Sequence, residues 1–431
     1  MNGEGGSRRA LSMAAVWLVL WAVFGLLSST SGLIEAIRRD LGLTYAQGGF
    51  LLSLPFPLIG LFALTGGVLV DRMGVVRLVR LGAALAIAGG AVRIGAGSFW
   101  LLAAGIALVG AGTGLMYPVL PKLARMAPPE RRESAAALFT GAVVVGTAMS
   151  VAFSGQMEGL WRAAPFSPAG AEWRGGYLGW AAALLAVYAL WLAVASKGGP
   201  EEAGEDRGAE ADGGREAAAG GGAVAGGGAV AGGGAAGGGA AGGSVSIWRS
   251  RPIWAVTASF FINNAVFYTS IGWFPSILME KGWSLAQATF LTSLVPWVAV
   301  FGIMLTPALT ALAGGPARFI FICGVLTAAS LAAMPFAGAW TAIAAVVVIG
   351  LALVFWFVLC MGYPAKEVPA EAAGRAAGMI IGLSYIGGFV GPWAAGIIRD
   401  ATGGFGAALL ALAAAAAVSL LAAPSFGRRA E

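Results

Sequence analysis

Two adjacent amides, Asn263 and Asn264, stand inside a long apolar stretch, with Tyr268 and Thr269 one helical turn further on. An amide carries both donors and an acceptor, and polar groups at membrane depth persist where they find partners or line water. The chemistry this favours is reversible hydrogen bonding to a small polar solute, with no preference for its charge. A single Asn serves equally as a tie between helices. Two adjacent ones face different directions on a helix, so such a tie accounts less well for both. Arg93 is the only basic residue well inside an apolar run. It lies near the run's end, where the expected behaviour is to snorkel its head group to the interface. Facing a cavity instead, it would suit an anion.

Covalent chemistry lacks its parts. The 431 residues contain no His, which removes H-E-x-x-H metal sites and Ser-His pairs. No Asp or Glu occupies the middle of an apolar run, so neither a carboxylate pair nor an intramembrane proton carrier is in view. Cys323 and Cys360 lie within apolar runs and read as buried thiols rather than a disulfide or a metal site. No enzyme activity, metal or cofactor is expected. The coupling ion stays open among facilitated diffusion or exchange, carboxylates at the mouths such as Glu35, and a proton carried by the substrate.

Elements of membrane-spanning length must position these groups. The chain is 58% hydrophobic and 11% charged, against about a quarter charged in soluble proteins. Twelve apolar runs fall near 11–33, 48–70, 78–97, 100–121, 134–155, 176–196, 250–274, 286–309, 317–336, 339–362, 375–397 and 405–423. Each approaches the roughly 20 residues that cross a bilayer as a helix. The fold class expected is an all-α integral membrane protein of twelve transmembrane helices in two pseudo-symmetric six-helix bundles. The first run exceeds a signal-peptide core and has no small-residue cleavage site, so it is expected to stay as a helix. With the N-terminus inside, 19 of the 26 Lys and Arg fall on the cytoplasmic side and seven outside. Both termini are therefore expected in the cytoplasm and the chain in the cell membrane. The net charge of +6 is a topology signal rather than a nucleic-acid signal.

The chain is also internally duplicated. Gly42, Thr44, Ala46, Gln47, Phe50, Leu51, Ser53 and Leu54 recur 240 residues later as Gly282, Ser284, Ala286, Gln287, Phe290, Leu291, Ser293 and Leu294. Thr44 with Gln47, and Ser284 with Gln287, fit the S/T-x-x-E/Q capping box that starts a helix. Gly141 and Gly146 correspond to Gly382 and Gly387, and Tyr117-Pro118 to Tyr363-Pro364. The organisation expected is a first bundle over 1–196, a flexible acidic and then Gly/Ala-rich linker over 197–247, and a second bundle over 248–431. Gly110 with Gly114, Gly378 with Gly382, and Gly387 with Gly391 have the spacing of close helix contacts. Pro55 and Pro296 should bend helices at mirrored places. Trp100, Trp273, Trp283 and Trp340 read as interfacial anchors.

Gly67, Asp71, Arg72, Gly74 and Arg77 form G-x-x-x-D-R-x-G-x-x-R between the second and third runs. This resembles the signature of the major facilitator superfamily, with Val75 and Val76 where the family often has basic residues. Arg93, Pro118 to Lys122, Trp173-Arg174 and the run from Asn264 to Pro275 look like its cyanate and nitroimidazole permease branch. Proton-coupled drug exporters of the superfamily usually have an Arg in helix 4 and a Gly-Pro motif in helix 5, and neither is present here. The resemblance implies a conformational latch at Gly67, Asp71, Arg72, Gly74 and Arg77. It also implies a substrate cavity between the halves, lined by helices 1, 4, 7 and 10 with help from 2, 5, 8 and 11. On those helices Thr113, Tyr117, Ser293, Trp297, Trp356, Tyr363 and Tyr385 join Asn263, Asn264, Tyr268 and Arg93 as candidate binding residues.

The function expected is a secondary transporter of a small polar solute, an organic or inorganic anion among the candidates, working by rocker-switch alternating access. Multidrug efflux is the alternative. A membrane sensor without transport would need a soluble output domain, and the only long soluble segment is low-complexity. The expected partners are a small-molecule substrate and the lipid bilayer, with the protein a monomer. The capped segments should form matched outer entrances that approach each other when the outer gate closes.

Overall fold

The computed structural model describes residues 2–125, 132–163, 171–195 and 247–427. The linker expected over 197–247 lies outside the described residues apart from its last position. Among them the secondary structure is helical throughout, without a strand. The first half contains α1 (Asn2–Leu41), α2 (Tyr45–Ser53), α3 (Pro55–Ile94), α4 (Phe99–Met116), α5 (Val119–Arg125), α6 (Arg132–Arg162) and α7 (Trp173–Ala195). The second contains α8 (Arg251–Glu280), α9 (Leu285–Thr292), α10 (Leu294–Leu312), α11 (Pro316–Ala333), α12 (Ala339–Glu367), α13 (Ala370–Thr402) and α14 (Gly406–Ser419).

Ten stretches among the described residues are long and apolar enough to cross a membrane. One of these, Tyr45–Ile94, runs 50 residues and breaks at Gly74, whose φ of 81° is a left-handed conformation that glycine adopts at little cost. Added Cβ atoms at Gly66 and Gly82, on either side of that break, would both meet α4 near Leu115 and Met116. The chain therefore reverses at Gly74 and crosses twice. The 30-residue α8 falls outside that apolar set yet is long enough to span. The arrangement is consistent with twelve crossings.

The repeated segments fold alike for local reasons. Gly42 (φ 61°) and Gly282 (φ 92°) turn the chain, and both capping boxes form, with Thr44 and Ser284 accepting from the Gln47 and Gln287 backbone N–H. Each short capped helix then bends into a longer one, at Leu54–Pro55 and at Ser293–Leu294. In lipid, helices associate by close packing, and mirrored glycines provide it. A Cβ on Gly146 would overlap the Trp21 carbonyl of α1, and one on Gly387 the Phe261 carbonyl of α8. Gly110, Gly114 and Gly391 likewise meet backbone of neighbouring helices, whereas Gly378 and Gly382 face open space and make no such contact. Helix α1 runs to Leu41, eight residues beyond the apolar run, because its amphipathic end packs Ile34 and Ile37 while exposing Arg39.

Candidate functional site

A cavity of about 160 Å³ lies between the two halves. Its walls come from α1, α2, α3, Tyr117 and α6 on one side and from α8, α10, α12 and α13 on the other. These are the helices that the resemblance implies. Of the candidate binding residues, the structure brings Asn263, Asn264, Tyr117, Tyr268 and Tyr385 to this wall. Asn263 donates to the Leu353 carbonyl of α12 at 3.0 Å and so ties two helices. Asn264 is buried, and its amide nitrogen has no hydrogen-bond partner. One amide thus ties two helices, while its neighbour is left unpartnered at the cavity wall.

Aromatic rings close the cavity on several sides. Phe56 of α3 lies 3.8 Å from the Tyr268 ring of α8, centroid to centroid, across the two halves. The Tyr117 and Tyr385 hydroxyls approach to 3.5 Å, again across the halves. Phe24 meets Tyr117 edge-on. The polar part of the wall comes from the two amides, the three tyrosines and hydroxyls that the sequence reading did not single out: Ser28, Thr30 and Ser31 on α1 and Thr147 on α6. Ser28 donates to Thr147 at 3.3 Å. No Lys, Arg, Asp or Glu lines the cavity among the described residues.

The remaining candidates lie away from the wall. Thr113 is buried and donates to the Val109 carbonyl of its own helix, and Ser293 donates likewise to Phe290. Trp356 is buried with its indole N–H on Ser259, 2.8 Å away, and Tyr363 packs edge-on against Phe426. Trp297 is half-buried on α10. Arg93 does not snorkel. It is 1% exposed, held between α1 and α7, because three oxygen acceptors and a Tyr177 ring give its guanidinium partners inside the protein. Trp273 is no interfacial anchor either: it is fully buried and donates to the Pro392 carbonyl of α13. Trp100 and Trp340 are largely exposed, as anchors would be.

At the end of the molecule that carries the capped segments, the two halves meet. Each capped segment docks on a long helix of the opposite half, α2 on α13 and α9 on α6, rather than chiefly on the other capped segment. The two contacts follow the internal two-fold relation, α13 being to α2 what α6 is to α9. Asp400 at the end of α13 accepts from the Tyr45 and Ala46 N–H groups at 2.9 and 2.7 Å, so a carboxylate caps the positive end of α2. Arg38 and Arg399 both lie over the Tyr45 ring, at 3.4 and 4.4 Å from its centroid. At the opposite end Asp71 pairs with Lys122 at 3.2 Å, and Lys122 also donates to the Val70 carbonyl. Both partners belong to the first half, while Arg72 and Arg77 are exposed.

The family model of the Major Facilitator Superfamily matches residues 16–392 of this chain. The 2-nitroimidazole transporter of Escherichia coli (strain K12) is 25% identical over 417 residues, which cover 95% of this chain and 93% of that protein. The uncharacterized transporter YycB of Bacillus subtilis (strain 168) is 25% identical over 303 residues, 68% of this chain and 63% of that one. Among solved structures, a bacterial homolog of the human lysosomal transporter Spinster, inward-facing and occupied, superposes with a TM-score of 0.72 at 17% identity, covering 97% of this chain and 96% of its own. The D-xylose-proton symporter gives 0.70 at 14% identity, with 98% of each chain covered.

Proposed function

This chain belongs to the major facilitator superfamily and is a multi-pass membrane transporter, and on that premise we propose that it is a secondary transporter of a small, planar, polar solute. The carrying observation is the cavity between the halves. Its volume of about 160 Å³ is close to the roughly 150 Å³ that holds one benzene ring in an engineered apolar cavity. Aromatic rings on both sides suit a flat solute, and the unpartnered Asn264 amide supplies a hydrogen bond. A wall without charged residues among those described favours an uncharged ring with polar substituents over an inorganic anion. The same volume disfavours bulky drug-like cargo. A relative named as a 2-nitroimidazole transporter fits this class, since 2-nitroimidazole is a single planar ring bearing acceptor oxygens.

Transport would proceed by alternating access of a first bundle over 1–196 and a second over 248–431, with both termini in the cytoplasm. In this assignment the capped end is outside and sealed by Asp400 and the α2–α13 packing, which makes the described conformation an inward-facing or occluded one. Asp71, Arg72 and Arg77 would then be the latch of the other state, here disengaged from the second half. The test is uptake of labelled 2-nitroimidazole into proteoliposomes, with and without a pH gradient. Uptake above that of protein-free vesicles, reduced tenfold or more in Asn264→Ala, supports the reading. Uptake equal to the protein-free control overturns it.

A further inference from the structure

Arg93 is a fully buried cation with no carboxylate at ion-pair distance among the described residues. Its guanidinium donates to the Leu26 carbonyl at 2.8 Å and to the hydroxyls of Ser29 and Thr30 at 3.0 and 2.7 Å. The ring of Tyr177 lies 3.8 Å beneath it. Tyr177 also donates its own hydroxyl to Thr30 at 3.2 Å. A hydroxyl has one proton to give and two lone pairs to receive, so the Thr30 oxygen is filled by two incoming donors. Its proton must leave in another direction.

The usual outlet for a helical Thr is the carbonyl four residues back. Here that is Leu26, whose oxygen already accepts from Arg93 and from Ser29 at 2.7 Å. Thr30 itself lines the cavity. We propose that Thr30, polarised from behind by Arg93 and Tyr177, is a fixed hydrogen-bond donor aimed into the cavity, and that it selects solutes presenting an electron-rich acceptor to that wall. Arg93 is a positioning residue: it never touches the solute, yet it sets the direction of the Thr30 proton and places uncompensated positive charge behind it. On the facing half the Asn264 amide nitrogen is an unpartnered donor at the same cavity. A nitro or carbonyl group on a single ring has the shape and charge for such a pair.

The inference rests on the cavity being the substrate site, and the test separates the two. Dissociation constants are measured on the purified full chain for pyrazole and 4-nitropyrazole, rings of one size that are both uncharged at pH 7. The wild type should prefer the nitro ring by about tenfold, the upper end of the scale of one hydrogen bond. Thr30→Ser keeps that preference, while Thr30→Val weakens the nitro ring more than pyrazole and so loses it. A merely structural role would weaken both rings equally. Arg93→Lys keeps the charge without the fork that reaches three acceptors, and it should lose the preference too, which covers the case in which Thr30→Val does not fold. Wild-type selectivity in either variant overturns the assignment of Thr30 while leaving the cavity reading intact. A wild type that binds neither ring overturns both.

Discussion

At the capped end the two halves meet along two seams related by the internal repeat, α2 on α13 and α9 on α6, and the two are built differently. Gly396 of α13 approaches Tyr45 so closely that a Cβ would overlap the Tyr45 carbonyl oxygen, whereas a Cβ on its counterpart Gly155 would lie 3.5 Å from the Leu285 carbonyl. Gly49, which faces the Pro392 backbone, has Thr289 as its counterpart, and that side chain stands between α9 and its neighbours. Asp400, which caps α2, has Gly159 as its counterpart. On that seam the polar contact is Gln156 to the Ala286 carbonyl at 3.4 Å, a long bond. Duplication supplied the same architecture twice. Divergence then left one seam backbone-to-backbone and clamped by charge, and the other spaced by a side chain. When this end opens, the α9–α6 seam should part first.

The comparison breaks most severely where backbones touch. Gly49→Val places a side chain against the Pro392 carbonyl, and overpacking of about 1–3 kcal/mol should shift the closed-to-open ratio by roughly five- to 150-fold. Distances between fluorescent labels on the ends of α2 and α13 would report it. Gly155→Val should do less, because its nearest obstacle is the Thr289 hydroxyl at 3.0 Å rather than a backbone carbonyl. Equal effects at the two positions would erase the asymmetry. Asp400→Asn removes a charge from the start of α2, about 1 kcal/mol at an exposed site, and should favour opening about fivefold, less at high salt.

Smaller changes sharpen the same contrast. Gly159→Asp would install the missing cap on the second seam, where a Cβ has open space around it, and should stabilise the closed state by up to about fivefold, measured with labels on α6 and α9. Gln156→Ala should alter that distribution by less than about twofold, since its bond is at the limit of useful geometry. A large effect would show the amide to be a true counterpart of Asp400.

Local features were legible in the chain. Thr44 with Gln47, and Ser284 with Gln287, carry their own capping geometry, so both helix starts follow from four residues each. Asn263 and Asn264 stood out because amides in an apolar run are conspicuous, and Tyr117, Tyr268 and Tyr385 through the helices expected to line a cavity. Ser28, Thr30 and Ser31 did not stand out. Small hydroxyl residues in a membrane helix usually satisfy themselves on their own backbone, as Ser29 does on Leu26, so their type carries no signature of a wall. Arg93 was conspicuous, but its placement was not. Its hydrogen-bond partners lie 63 to 67 positions away in sequence, and no local rule sees that far.

What the sequence by itself determined is what short-range physics governs: apolar length, the bias of basic residues, the capped turns at Gly42 and Gly282, and the reversal near Gly74. Hydrophobicity and backbone conformation act within a few residues, and so survive being read one segment at a time. Tertiary structure alone decided which amide stays unpartnered, which tryptophan is buried at a seam, and whether Arg93 reaches lipid or holds Thr30. Each of those outcomes depends on which acceptors and rings the other helices bring within about 3 to 4 Å, and that is fixed only when the halves are packed.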